Sequence, residues 1–218
     1  MKVMVTGATG FIGKELIKKL NRNGHEIVVL TRNSESAKFH IPVHCEIVTW
    51  DPCKDSLPPS ALKGVDAVIN LAGEGIADGR WSPERKRELT QSRVLSVSKL
   101  IHAMTYMNNK PQVFVSASAI GFYGDRGDEL LDETSSKGKG FLSEVCQSWE
   151  NEILKAKDLG VRTVALRIGM VLGHDGGALG KMLPPFQLGA GGKLGSGTQW
   201  MSWIHINDLV DMMSYVTE

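Results

Sequence analysis

The sequence predicts an α/β fold built on a doubly wound parallel sheet, and two observations carry that expectation. The chain opens on a β-branched run, Lys2-Val3-Met4-Val5-Thr6. Glycines at three-residue spacing (Gly7, Gly10, Gly13) follow it, and Phe11, Ile12, Leu16, Ile17 and Leu20 then recur at helical intervals. Strand-like apolar runs and helical patterns alternate through the rest of the chain, as they do where crossover helices join parallel strands. The 218 residues suffice for one such domain with a buried core and a small appendage.

The opening element sets the functional expectation. Glycines let a backbone turn tightly and approach a pyrophosphate, while the helix N-terminus offers free N–H groups and a positive dipole end. Strand, glycine turn and helix together read as a dinucleotide site of the Rossmann type, with Gly7, Thr9, Gly10, Phe11, Ile12 and Gly13 as candidate contacts. A structural βα turn is the alternative. The spacing is G-x-x-G-x-x-G, not the common G-x-G-x-x-G.

The second strand runs from Ile27 to Leu30 and ends in Thr31-Arg32, with no acid to accept from a ribose 2′-hydroxyl. An Arg beside a hydroxyl suits the 2′-phosphate of NADP, and a solvated surface Arg is the other reading. Residues 33–42 are polar and read as a short helix or loop. Glu46 to Trp50 forms a third strand closed by Asp51, which either faces the cofactor or begins a turn with Pro52. Pro58-Pro59-Ser60 opens a short helix ended by Gly64, and Val65 to Leu71 is the fourth strand. It delivers Asn70-Leu71-Ala72-Gly73, small residues that let the backbone lie close to a ribose and phosphates.

Ser82-Pro83-Glu84 starts a long charged helix whose apolar face is Leu89, Val94, Val97, Leu100, Ile101 and Met104. Gln112 to Ser116 is the fifth strand, leading into Ser116-Ala117-Ser118-Ala119 and Ile120-Gly121-Phe122-Tyr123-Gly124. A helix over GFLSEVCQSWENEILKA follows, and the sixth strand ends at Ile168. Glycine is dense from Gly173 to Gly197, a loop-rich stretch interrupted by the apolar Met182 to Leu188, and it reads as a substrate lid. Trp200 to Ile204 is a last strand. His205 and Asp208 start the last helix, with Asn207 or Asp208 as its cap and His205 in a structural role.

Composition narrows the function. With 42% apolar and 22% charged residues the chain reads as an ordinary globular protein. Its net charge of +1 gives no electrostatic case for nucleic acid or an anionic membrane. No apolar run reaches the length of a membrane span, and the N-terminus lacks the pattern of a secretory leader. Cys45, Cys53 and Cys146 are odd in number and lack ligand spacing, so we expect free thiols, no metal and a cytoplasmic setting. A small-molecule substrate is the expected partner, and a homodimer is left open.

The motifs TGATGFIG, NLAG and SASAIGFYG resemble the extended short-chain dehydrogenase/reductase superfamily. With W-S-x-E-x-K-x-x-L-x-x-S-R, F-L-S-E-V-C-x-x-W-E, R-x-G-x-V-L-G-x-x-G-G-A-L and W-I-H-I-N-D-L they resemble one branch of it, the "epimerase family" proteins, over essentially the whole chain. The resemblance implies NADP held by Thr31-Arg32, the Leu71-Ala72 backbone with Gly73, Glu88, Arg93 and the strand end at Ile168. It also implies an acid at Asp51 near the adenine and a Ser118 hydroxyl on the reacting oxygen. Members run on by a further C-terminal segment, so the substrate lobe is expected to be partly truncated: a Rossmann domain over 1–170 and a lobe segment over 171–218.

One part of the superfamily pattern is missing. Its catalytic members carry Tyr-x-x-x-Lys on one helical face, where the ammonium lowers the Tyr pKa for proton transfer. Phe141 and Val145 stand at those places here. The literal match, Tyr106 to Lys110, precedes the fifth strand and lies on the wrong side of Ser118. Tyr123 is the candidate substitute proton donor, and Cys146 reads as a packed thiol. The expected activity is an NADP-dependent reductase or epimerase on a small polar carbonyl or nucleotide-linked sugar. An NADP-binding sensor with little turnover is the alternative.

Overall fold

A computed structural model describes residues 1–174, 176–193 and 195–218. Strands β1 (Lys2–Thr6), β2 (Glu26–Thr31), β3 (Glu46–Thr49), β4 (Ala67–Asn70), β5 (Val113–Ala119) and β6 (Arg162–Ile168) form one parallel sheet in the order β3-β2-β1-β4-β5-β6. The order reverses direction between β1 and β4, which is where open α/β sheets place their ligands. Both faces are covered. Helix α1 (Phe11–Arg22) packs Leu16, Ile17 and Leu20 on one face with α6 (Ile206–Thr217). Helices α3 (Pro83–Thr105) and α4 (Phe141–Leu154) pack Val97, Leu100, Trp149 and Ile153 on the other. The four central strands, β2, β1, β4 and β5, are buried on both faces, which explains their near-continuous apolar runs, while the edge strands β3 and β6 are half-buried.

Local chemistry sets the helix starts. The Ser82 hydroxyl accepts from the Arg85 N–H at 3.2 Å with Pro83 in the first turn. The Asn33 side chain accepts from the Ser36 N–H, so the polar stretch after β2 is a helix, α2 (Ser34–His40). At α6 the cap is the His205 ring, whose Nδ1 accepts from the Asn207 N–H at 3.3 Å, in place of the expected Asn207 or Asp208.

The segment after β6 departs most from expectation. Two short strands, β7 (Met170–Leu172) and β8 (Trp203–His205), pair in parallel, and the glycine-dense stretch contains a helix, α5 (Gly177–Gln187). The glycines reflect close approach more than looseness. A Cβ at Gly173 would sit 2.7 Å from the Phe11 ring and one at Gly177 2.8 Å from it. The ring of Phe11 is thus bedded in this segment, and Gly177 also needs its positive φ of 66°. The lobe expected over 171–218 shares the main core, because Leu209, Val210 and Met213 of α6 are buried against the sheet.

Candidate functional site

The C-terminal ends of β1, β2 and β4 open onto a cleft of about 520 Å³. The turn after β1 contributes Gly7, Thr9 and Gly10, and the end of β2 contributes Leu30, Thr31 and Arg32. Trp50 to Cys53 come from the turn after β3, Leu71 to Glu74 from the turn after β4, and Arg85, Glu88, Gln91 and Ser92 from α3.

Buried hydroxyls fix the strand ends that shape it. Thr6 Oγ1 donates to Asn70 Oδ1 at 2.7 Å and accepts from the Leu71 and Ala72 N–H groups at 3.2 and 3.1 Å. Asn70 in turn donates to Ser116 and accepts from Ser96 of α3. This network brings the Leu71-Ala72 backbone so close to Gly7 (φ +70°) that a Cβ there would lie 2.7 Å from Leu71 C and O. A Cβ at Gly13 would lie 2.2 Å from the Gly7 carbonyl oxygen. Gly10 differs. It caps α1 without a side-chain hydrogen bond, has an extended backbone (φ −78°, ψ 174°), and a Cβ on it would meet only the Gly7 oxygen, at 3.3 Å.

Of the expected cofactor contacts, Gly7, Thr9, Gly10, Thr31, Arg32, Asp51, Leu71, Ala72, Gly73 and Glu88 line the cleft, while Phe11, Ile12, Gly13, Arg93 and Ile168 lie outside its lining. Ile12 and Ile168 pack against the core, and Phe11 is bedded as described. Arg93 braces the cleft from below. It donates to the carbonyls of Leu89 and Glu74, its guanidinium lies 5.3 Å from the Trp149 ring centroid, and burial lowers its pKa. Asp51 begins a turn as well as lining the cleft, since Oδ1 accepts from the Cys53 N–H. Sequence reasoning missed Trp50, Glu74, Arg85, Gln91 and Ser92. Helical spacing was the available signal, because Arg85 and Ser92 sit one turn either side of Glu88.

A second polar cluster lies at the ends of β5 and β6. Ser118, 3% exposed, donates to Glu150 Oε1 at 2.6 Å. Arg167 grips the same carboxylate with Nε and Nη2, both at 2.9 Å, and Nη1 donates to the Tyr123 hydroxyl at 2.9 Å. Its guanidinium stacks 3.6 Å from the Phe122 ring centroid. The Glu150 hydrogen bonds raise the Arg167 pKa, so the guanidinium is a permanent cation. The expectation for Ser118 changes accordingly. Its one proton is committed to Glu150, and toward a substrate it offers lone pairs. Tyr123 accepts from Arg167 and keeps its own proton to donate.

Helix α4 stands where a Tyr-x-x-x-Lys helix was expected, with no proton-transferring group at either place. Phe141 packs edge-on against Trp81 at 5.5 Å and Val145 is buried. Tyr106 and Lys110 lie before β5, away from the C-terminal strand ends. Burial raises the Cys146 thiol and also the Cys45 thiol, whereas Cys53 is exposed at the cleft. Thiol titration of the folded protein is expected to show one fast group, Cys53, with Cys45 and Cys146 reacting only slowly before unfolding. Fast labelling of Cys146, located by peptide mapping, would contradict its packing.

Residues 3–218 match the model of the NAD dependent epimerase/dehydratase family. The chain belongs to this family. Among members of the epimerase family, the Arabidopsis thaliana chloroplastic homologue of SDR39U1 is 46% identical over 98% of this chain and 61% of its own length. The present chain therefore spans less than two thirds of that relative. Human epimerase family protein SDR39U1, solved with NADPH, superposes with a TM-score of 0.84 at 36% identity, over 100% of this chain and 70% of that one. A nucleoside-diphosphate sugar epimerase from Corynebacterium glutamicum gives 0.81 at 36% identity, over 100% and 43%. Among the described residues no helix of this epimerase-family chain is long and apolar enough to cross a membrane, and no cluster of His, Cys, Asp or Glu could hold a metal ion.

Proposed function

We propose that this chain binds NADP and is the nucleotide-binding part of a reductase or epimerase acting on a small polar carbonyl or nucleotide-linked sugar. The observation that carries the reading is the cleft at the reversal of strand order, lined by Gly7 and Gly10 at an α1 N-terminus that no side chain caps. No acid stands at the end of β2, and Arg32 lines the cleft there. Two buried donors in the wall, Trp50 Nε1 and Arg85 Nε, have no partner among the described residues, as befits a site that a polar ligand completes. The NADPH of human SDR39U1 and the nucleotide-sugar activity named for the Corynebacterium protein support the same reading.

The residues divide the work by position. The Gly7–Gly10 backbone, at the N-terminus of α1, would hold a pyrophosphate. Arg32 with Thr31 holds a 2′-phosphate, and Leu71 to Gly73 lie along a ribose. Bound NADP would supply hydride transfer. Tyr123 would donate a proton toward substrate with Arg167 fixing its oxygen, and Ser118 would accept a hydrogen bond from substrate through its lone pairs. The sensor reading keeps one argument, the aliphatic and aromatic side chains at Phe141 and Val145.

NADPH is expected to bind at least about tenfold more tightly than NADH, and Arg32→Ala to erase most of that preference. Equal calorimetric affinities in the unsubstituted protein would sink the NADP assignment. Turnover is tested by the near-ultraviolet absorbance of NADPH with carbonyl compounds and nucleotide sugars, alongside a product assay for redox-neutral epimerisation. An enzyme slows with Tyr123→Phe and Ser118→Ala. Tight binding with no product across the panel selects the sensor.

A further inference from the structure

Glu74 is built into the mouth of the cleft between two cations. Helix α3 fixes its backbone: Ser92 Oγ accepts from its N–H at 3.2 Å, and Arg93 Nη2 donates to its carbonyl at 2.9 Å. Its carboxylate Oε1 accepts from Arg32 Nη1 at 2.7 Å, and Oε2 lies 3.8 Å from Arg85 Nη1. All three side chains line the cleft. Arg32 is open to solvent, its side chain 65% exposed, whereas that of Arg85 is 19% exposed. Arg85 Nη1 also donates to Glu88 at 2.9 Å and Nη2 to the Gly75 carbonyl at 2.8 Å, while its buried Nε has no partner.

Building on the reading of Arg32 as an NADP contact, we propose that Arg85 is the second cation of the 2′-phosphate subsite and that Glu74 is an internal competitor for it. The carboxylate draws Arg32 toward Arg85 until a phosphate takes its place. The charges require an exchange. Two guanidiniums and the carboxylates of Glu74 and Glu88 already balance at this mouth, so a dianion added beside Glu74 meets like charge, and one that replaces the Glu74 carboxylate meets two cations. Arg85 is held by α3 and Gly75 before the ligand arrives, so little side-chain entropy is lost on contact. NADH carries only a hydroxyl there and has nothing with which to displace a carboxylate. Discrimination between the two cofactors is therefore set by this exchange and not by Arg32 alone.

The test is calorimetric affinity for NADPH, NADH, adenosine 2′,5′-bisphosphate and AMP in the unsubstituted protein, Arg85→Ala and Glu74→Gln, with thermal denaturation of each. Arg85→Ala is expected to weaken NADPH and the bisphosphate about tenfold and to leave NADH and AMP unchanged. Glu74→Gln is expected to tighten the 2′-phosphorylated ligands roughly threefold, again without effect on the others. Should Arg85→Ala melt early, Arg85→Gln replaces it, because its amide can keep the Gly75 contact without the charge. Equal losses for ligands with and without a 2′-phosphate would make Arg85 a brace of the wall and overturn the proposal. So would a Glu74→Gln protein whose NADPH preference is unchanged or reduced. A preference for NADPH that Arg85→Ala leaves intact overturns this proposal alone, whereas an unsubstituted protein without that preference overturns the NADP reading beneath it.

Discussion

Gly10→Val is expected to abolish dinucleotide binding, weakening NADPH by on the order of 100-fold or more, in a protein that still folds. The three glycines of the first turn are there for different reasons, and only one of them faces the ligand space alone. Gly7 needs φ +70° and lies against the Leu71 backbone, and Gly13 lies against the Gly7 carbonyl, so a side chain at either displaces backbone. Those substitutions are expected to cost several kcal/mol of stability, about 1–3 for crowding alone, and their loss of binding says nothing specific. Gly10 has an extended backbone open to any residue, and its added Cβ meets protein only at the Gly7 oxygen, 3.3 Å away, a contact that needs the Gly7 carbonyl to move by a few tenths of an ångström. A valine there fills the approach to the α1 N-terminus. The measurement is a pair: calorimetric NADPH affinity, and the melting temperature of the Gly10→Val protein, expected within a few degrees of the parent. Unchanged affinity in a folded variant would place the pyrophosphate elsewhere and remove the main support for the cleft as cofactor site.

Much of this site was legible in the sequence because its parts are contiguous. Strand, glycine turn and helix follow one another from Lys2 to Leu20, and the Asn70–Gly73 turn announces itself by small residues. That the sheet is parallel follows from the alternation of strands and helices. What stayed hidden depends on distance in the fold. Phe11 sits inside the glycine turn, yet its ring is bedded on Gly173 and Gly177, residues remote in sequence. The glycines that accommodate it read as a loop, although Gly177 begins α5. Glu150 lies on α4, and nothing near it in sequence tells that it accepts from the Ser118 hydroxyl and from the fork of Arg167. Ser118 and Arg167 are neighbours only through the pairing of β5 with β6. Long-range pairing of this kind leaves no periodic trace in a single sequence.

That pairing makes Glu150→Leu the substitution with the largest expected effect on stability. The Glu150 and Arg167 side chains are 11% and 18% exposed, so removing the carboxylate leaves a largely buried guanidinium that keeps its charge, as arginine does at any accessible pH. Breaking a buried pair from one side typically costs about 3–5 kcal/mol, against about 0–1 for surface pairs such as Glu84 with Arg87. Arg167→Met is expected to lose a comparable amount, since it strands the carboxylate against the Ser118 hydroxyl. The two losses should not add. With both charges gone, neither an unpaired guanidinium nor an unpaired carboxylate is left beside the Phe122 ring and the Ser118 and Tyr123 hydroxyls, and the double variant is expected to recover about 2 kcal/mol relative to the sum of the single losses. Urea denaturation of the four proteins measures this directly. Additive losses would mean that each residue is held by its other neighbours and that the ion pair itself contributes little. The same series separates stability from chemistry: Glu150→Gln keeps the shape and an acceptor for Ser118 but removes the charge. If Arg167 serves Tyr123 as a positioning group, this variant leaves the Arg167 contact to the phenol in place, and NADPH affinity should match the parent even as the denaturation midpoint falls.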